Sequence, residues 1–110
     1  MTVYCNDCVL SQKVQVADSF FTRLKGLMGK KHLEEGEGLL LLHCPAIHCF
    51  FMKITIYAVY LSEDMTVLAT ETLTPWKIGR HVKHARHVLE LAAGTGRVSA
   101  GDLIKLQGDD

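Results

Sequence analysis

Histidine stands beside cysteine twice in quick succession, as His43-Cys44 and His48-Cys49, and Cys5 and Cys8 lie with two residues between them near the start. Thiolate and imidazole are the usual ligands of zinc, and a two-residue gap lets both sulfurs of a turn reach one ion. This marks Cys44, His48 and Cys49 as metal candidates and zinc as the one cofactor to consider. Against it, a regular strand through 44–49 puts the two sulfurs on opposite faces, so a turn at Pro45 is required. The alternative is a set of buried thiols with an unstructured amino-terminal pair and no cofactor.

A second group is Lys77, Arg80, His81, Lys83, His84, Arg86 and His87, headed by Trp76 and free of acidic residues until Glu90. Guanidinium and ammonium groups neutralise anions and an indole offers a π face, so a small anionic ligand fits this chemistry. A merely solvated charged loop fits the composition as well. His81, His84 and His87 recur every third residue, a spacing that in a loop says little about a metal.

The third group centres on Lys53, which follows Phe50, Phe51 and Met52. Among apolar neighbours a lysine either extends its amine to water or pairs with a carboxylate, here Glu90 or Asp102. The chain has no Gly-x-Ser-x-Gly elbow, no phosphate-cradling glycine loop and no metalloprotease helix. Nothing in these motifs demands an enzyme.

The elements that must position these groups are read from periodicity. Residues 13–16 end an early strand, and Asp18 then stands as an N-cap. Behind it Phe20, Leu24, Leu27 and Met28 follow helical spacing, with Gly29 as C-cap and Gly26 allowing close approach of another element. From Gly38 onward short apolar runs broken by turns predict strands at 39–43, 48–54, 56–61, 66–73, 87–91 and 103–106. Ser62, Glu63 and Asp64 form a hairpin turn, 75–83 is a longer loop, and 94–100 is a connection with room for one helical turn.

A chain of 110 residues is the size of one domain, and 48% hydrophobic against 22% charged residues predicts a folded unit nearly end to end. Twelve basic and twelve acidic residues cancel, so bulk charge gives no argument for nucleic acid or an acidic membrane. The apolar runs at 38–42 and 46–52 fall far short of the ~20 residues of a spanning helix. The first ten residues lack a secretory pattern, so the chain reads as cytoplasmic, with its four cysteines reduced.

In order, Arg23-Leu24-Lys25-Gly26-Leu27-Met28, the segments 36–42 and 48–53, Pro75-Trp76, Val88-Leu89-Glu90-Leu91, Ala93-Gly94 and Gly101-Asp102 resemble the succession found in the domain-of-unknown-function family number 192. The likeness covers about residues 14–106. It implies a mainly β fold, a compact β-barrel or sandwich-like single domain with one short amphipathic helix near the N-terminus. It implies no established activity, substrate or cofactor.

Arg23, Met52, Lys53 and Glu90 match positions typical of that family, whereas Tyr57 stands where the resemblance leads one to expect an aspartate. Arg23 lies off the helical stripe and Lys53 on the opposite strand face from Phe50 and Met52, so both can converge with Glu90 on one rim of the sheet.

Three functional expectations result. The first is a binding or accessory module for a small anionic ligand or protein partner, using Trp76, Arg80, Lys83 and Arg86. The second is an enzyme of undefined class with a polar site at Arg23, Lys53 and Glu90, and the third a structural zinc protein. A homodimer covering an open sheet edge is compatible with all three.

Overall fold

Asn6 and Asp7 both take the left-handed backbone conformation, with φ of 50° and 70°. Two such residues make the tight turn whose twist matches a pair of antiparallel strands. The chain therefore folds back at once: β1 (Thr2–Cys5) pairs with β2 (Cys8–Ser11), Cys5 opposite Cys8. The structure, a computed structural model, describes residues 1–17, 33–44, 54–96 and 98–108. Among these the further strands are β3 (Lys13–Ala17), β4 (Glu37–Leu41), β5 (Ile56–Leu61), β6 (Val67–Leu73), β7 (His87–Ala92) and β8 (Ile104–Gln107).

They form a five-stranded sheet in the order β3-β4-β7-β5-β6 and a three-stranded sheet in the order β2-β1-β8. Within the larger sheet β3 and β4 run parallel and the other neighbours antiparallel. All six residues of β7 are buried, as are five of the six in β5. Strands covered on both sides read as continuous apolar runs rather than alternating ones, which is how Val88-Leu89-Glu90-Leu91 reads apart from its glutamate.

The two faces of the larger sheet carry separate cores. On one, Val14, Leu40, Val59, Leu61, Leu89 and Leu91 meet Val3, Cys5 and Ile104 of the smaller sheet. On the other, Leu39, Leu41, Ile56, Ala58, Tyr60 and Val88 are joined by Leu33, Ile54, Val82 and Ala85 from connecting segments. The sheets touch at a corner through an isolated bridge between Thr66 and Leu103.

These findings correct the fold class expected above. The chain is mainly β, but the sheets do not close into a barrel, since β3 and β6 at the two ends of the larger sheet do not pair. A barrel has one packed interior, whereas this sheet buries both faces. No helix occurs among the described residues. The expected amphipathic helix at 18–28 lies outside the described residues, as does most of the expected strand at 48–54.

The early strand and the strands at 56–61, 66–73, 87–91 and 103–106 match β3, β5, β6, β7 and β8 to within a residue or so. The strand expected at 39–43 is β4, shifted two residues earlier. The expected helical turn within 94–100 is absent among its described residues. The expectation of an unstructured Cys5 and Cys8 is also corrected, because they face one another across a hairpin.

One glycine is dictated by packing. A Cβ at Gly38 would lie 2.8 Å from Leu91 Cδ2 and 3.0 Å from the Glu90 carbonyl oxygen. The backbone oxygen cannot retreat without breaking the β4–β7 ladder. Gly38→Ala is expected to destabilise the protein by about 2 kcal/mol, the usual scale for overpacking, read as a lower urea midpoint at unchanged slope.

Candidate functional site

Register places the site. Leu39 lies opposite Glu90, Glu90 opposite Ala58, and Ala58 opposite Glu71, so two carboxylates share one row of the larger sheet with an alanine between them. Directly opposed residues project from the same face. Leu39 and Ala58 both belong to the core on that face.

The two acids play different parts. Glu71 accepts the Tyr60 hydroxyl at 2.5 Å and the Arg80 backbone N–H at 2.9 Å, both on Oε2. Tyr60 is fully buried, and Val82 and Ala85 pack on the same core, so Glu71 fastens the segment after β6 to the sheet. Glu90 is 3% exposed. Burial pushes its pKa up from 4.5 to about 7. A carboxyl in that range can give or take a proton near neutrality.

Arg23 and Lys53, expected beside Glu90, lie outside the described residues, as do His48 and Cys49. Cys44 is half-buried against the Glu90-side core. Trp76 is 61% exposed and Ile78 66%, and Lys77, Arg80, Lys83 and Arg86 are exposed around them. Arg86, with His84, Ser62, Glu63 and Asp64, lines an open cavity of about 560 Å³, where the two acids offset the Arg86 charge. Asp102 accepts the Asn6 side-chain amide at 2.9 Å, the Ser99 N–H at 2.8 Å and the Cys5 thiol at 3.5 Å. It is held below its usual pKa by those bonds, Ser99 first, and locks the first hairpin onto the 98–103 loop.

His81 and His84 are exposed while His87 is 4% exposed. His87 Nδ1 accepts the His43 backbone N–H at 3.0 Å, and the two rings meet edge-on with centroids 5.3 Å apart. Burial, and then His43, lower its pKa, so His87 serves as a neutral packing group. Among the described residues no group of three histidines, cysteines or acids is placed to hold a metal ion. Nor is any helix among them long and apolar enough to cross a membrane.

Tyr57 pairs with Leu91 and donates to the Val98 carbonyl at 3.4 Å. It packs with the core on the face away from Glu90. Of the tyrosines in β5, Tyr60 is the one that shares the Glu90 face. Sequence reasoning missed Glu71, whose position between Thr70 and Thr72 in an alternating strand reads as solvated surface.

A mainly β domain built of two open sheets, with a buried acid at the centre of the larger one, is thus the class defined by fold and site. The chain belongs to the DUF192 family, described as "Uncharacterized ACR", whose model matches residues 3–106. It is 33% identical over 92 residues to a UPF0127 protein of Pyrococcus abyssi, covering 78% of this chain and 76% of that protein. A UPF0127 protein of Pyrococcus horikoshii is 36% identical over 81 residues, with 71% and 70% covered.

Two solved structures share the fold. A protein of unknown function from Novosphingobium aromaticivorans superposes with a TM-score of 0.81 at 18% identity, over 96% of this chain and 84% of that one. A putative transcription regulator from Sinorhizobium meliloti gives 0.73 at 22% identity, over 84% and 79%.

Proposed function

We propose that the protein is a small binding module that takes up an anionic ligand on the 76–86 segment. The observation that carries this reading is the exposure of Trp76 and Ile78 amid Lys77, Arg80 and Lys83. Exposed large apolar side chains beside exposed cations suit a ligand with both an apolar or planar part and a negative charge. Attachment through Glu71 and the Val82 and Ala85 contacts limits the ordering cost of binding.

The test is a titration with pyrophosphate, citrate and an acidic hexapeptide, followed by amide chemical shifts. Binding is expected to perturb 76–86, to weaken with salt, and to fall at least about tenfold in an Arg80→Glu, Lys83→Glu, Arg86→Glu triple variant. Arg86 shares its cavity with Glu63 and Asp64, so Arg80 and Lys83 should account for most of the loss. Equal affinity in the triple variant would sink this reading.

A second reading has its own observation. The buried Glu90 carboxyl, held near neutrality, supports an enzyme that moves a proton there. Carbon-detected titration of Glu90 is expected to show a midpoint near 7, and an ordinary carboxylate midpoint would remove the support.

A further inference from the structure

The first hairpin carries a chemistry independent of the anion-binding reading. Cys5 and Cys8 are direct partners in the β1–β2 ladder, flanking the two left-handed residues Asn6 and Asp7. Opposed residues of an antiparallel pair sit roughly 4.5–5.5 Å apart at Cα and project to the same side. That separation lies inside the roughly 4.4–6.8 Å span a disulfide accepts.

Their surroundings differ in a useful way. Cys8 is exposed on the edge strand β2, open to a reagent from solvent. Cys5 is buried, its thiol donating to Asp102 Oδ2. Burial, with Asp102, pushes the Cys5 thiol up to about 11, so Cys5 stays protonated and does not make the first attack. A bridge between residues this close in sequence removes little freedom from the unfolded chain, so a disulfide here would be a poor stability staple. What it would change is local: the Cys5 to Asp102 bond is lost, loosening one tie between the hairpin and the 98–103 loop.

We propose that Cys5 and Cys8 form a reversible dithiol–disulfide site that exchanges with low-molecular-weight disulfides. In the first step the Cys8 thiolate attacks one sulfur of the reagent. The reagent's S–S bond breaks, a mixed disulfide forms on Cys8, and one thiolate departs. In the second step Cys5 gives up its proton as its sulfur attacks the Cys8 sulfur, now held beside it, and the other half of the reagent leaves as a thiolate that takes up a proton. The proton of each cysteine ends on a departing thiolate, so two protein thiols are oxidised while one disulfide is reduced to two thiols.

The sequence makes the test clean. Lys13 is the first basic residue, so trypsin releases 1–13 with Cys5 and Cys8 together, apart from Cys44 and Cys49. The folded protein is treated with glutathione disulfide, digested under acid quench and weighed. The 1–13 peptide is expected to lose two hydrogens and to recover them with dithiothreitol. Cys5→Ser should accumulate a stable glutathione adduct on Cys8, and Cys8→Ser, an exposed change, should leave Cys5 unmodified. A wild-type peptide that stops at the glutathione adduct, that stays unmodified, or that cross-links to Cys44 or Cys49 would overturn the proposal.

Discussion

Between pH 4.5 and about 7 the folded protein is expected to lose roughly 3 kcal/mol of stability through Glu90 alone. In the unfolded chain this carboxyl gives up its proton near 4.5, whereas in the folded one it holds it to about 7. Across that window the folded state binds one more proton than the unfolded state, so each rise in pH favours unfolding. Above the window both states are ionised and the penalty is constant.

Other groups act with the opposite sign, and their windows can be separated. His87 has a folded pKa lowered below 6.5, so its contribution is complete above 6.5 and is lost as pH falls towards the folded value. Asp64 and Asp102 are lowered below 3.8, and their contributions are lost only in stronger acid. Urea unfolding of wild type and Glu90→Gln at a series of pH values isolates the Glu90 term, because an amide does not titrate. The difference between the two curves should slope between pH 4.5 and about 7 and be flat on either side. Parallel curves throughout would mean that Glu90 is an ordinary carboxylate with no special role.

The same residue shows what sequence could and could not reveal. Glu90 stood out as a position matching the family and as a carboxylate for Lys53, and it lies in the run Val88-Leu89-Glu90-Leu91, where burial perturbs it. Strands β5 and β7 were legible for the same reason, since long apolar runs between turn residues have few other uses. The partition into two open sheets was not. Burial on both faces identifies a strand between layers, but not whether its sheet closes. The first hairpin went unread because Asn6-Asp7 lacks the glycine that usually marks such a turn. Arg80 and Lys83 were legible as a charge cluster, while the fastening of their segment depends on a cross-sheet register that spacing alone cannot supply.

That fastening leads to the second large effect. Glu71→Leu is expected to cost about 3 kcal/mol, since it removes one carboxylate that accepts both the buried Tyr60 hydroxyl and the Arg80 N–H. Glu71→Gln keeps an acceptor oxygen of the same reach, and should cost less than half as much. Tyr60→Phe removes one of the two bonds and should fall between them, with Tyr60→Phe and Glu71→Leu together costing less than their sum. Amide exchange supplies a readout that general destabilisation does not give. The Arg80 N–H should exchange much faster in Glu71→Leu than in Glu71→Gln, while the Leu89 and Leu91 amides in the central strand change only with global stability. If Leu and Gln prove equivalent at position 71, the 76–86 segment is held by the packing of Val82 and Ala85 and by the Arg86 N–H bond to the Leu61 carbonyl. Its cations would then be placed by apolar packing rather than by the carboxylate in the Glu90 row.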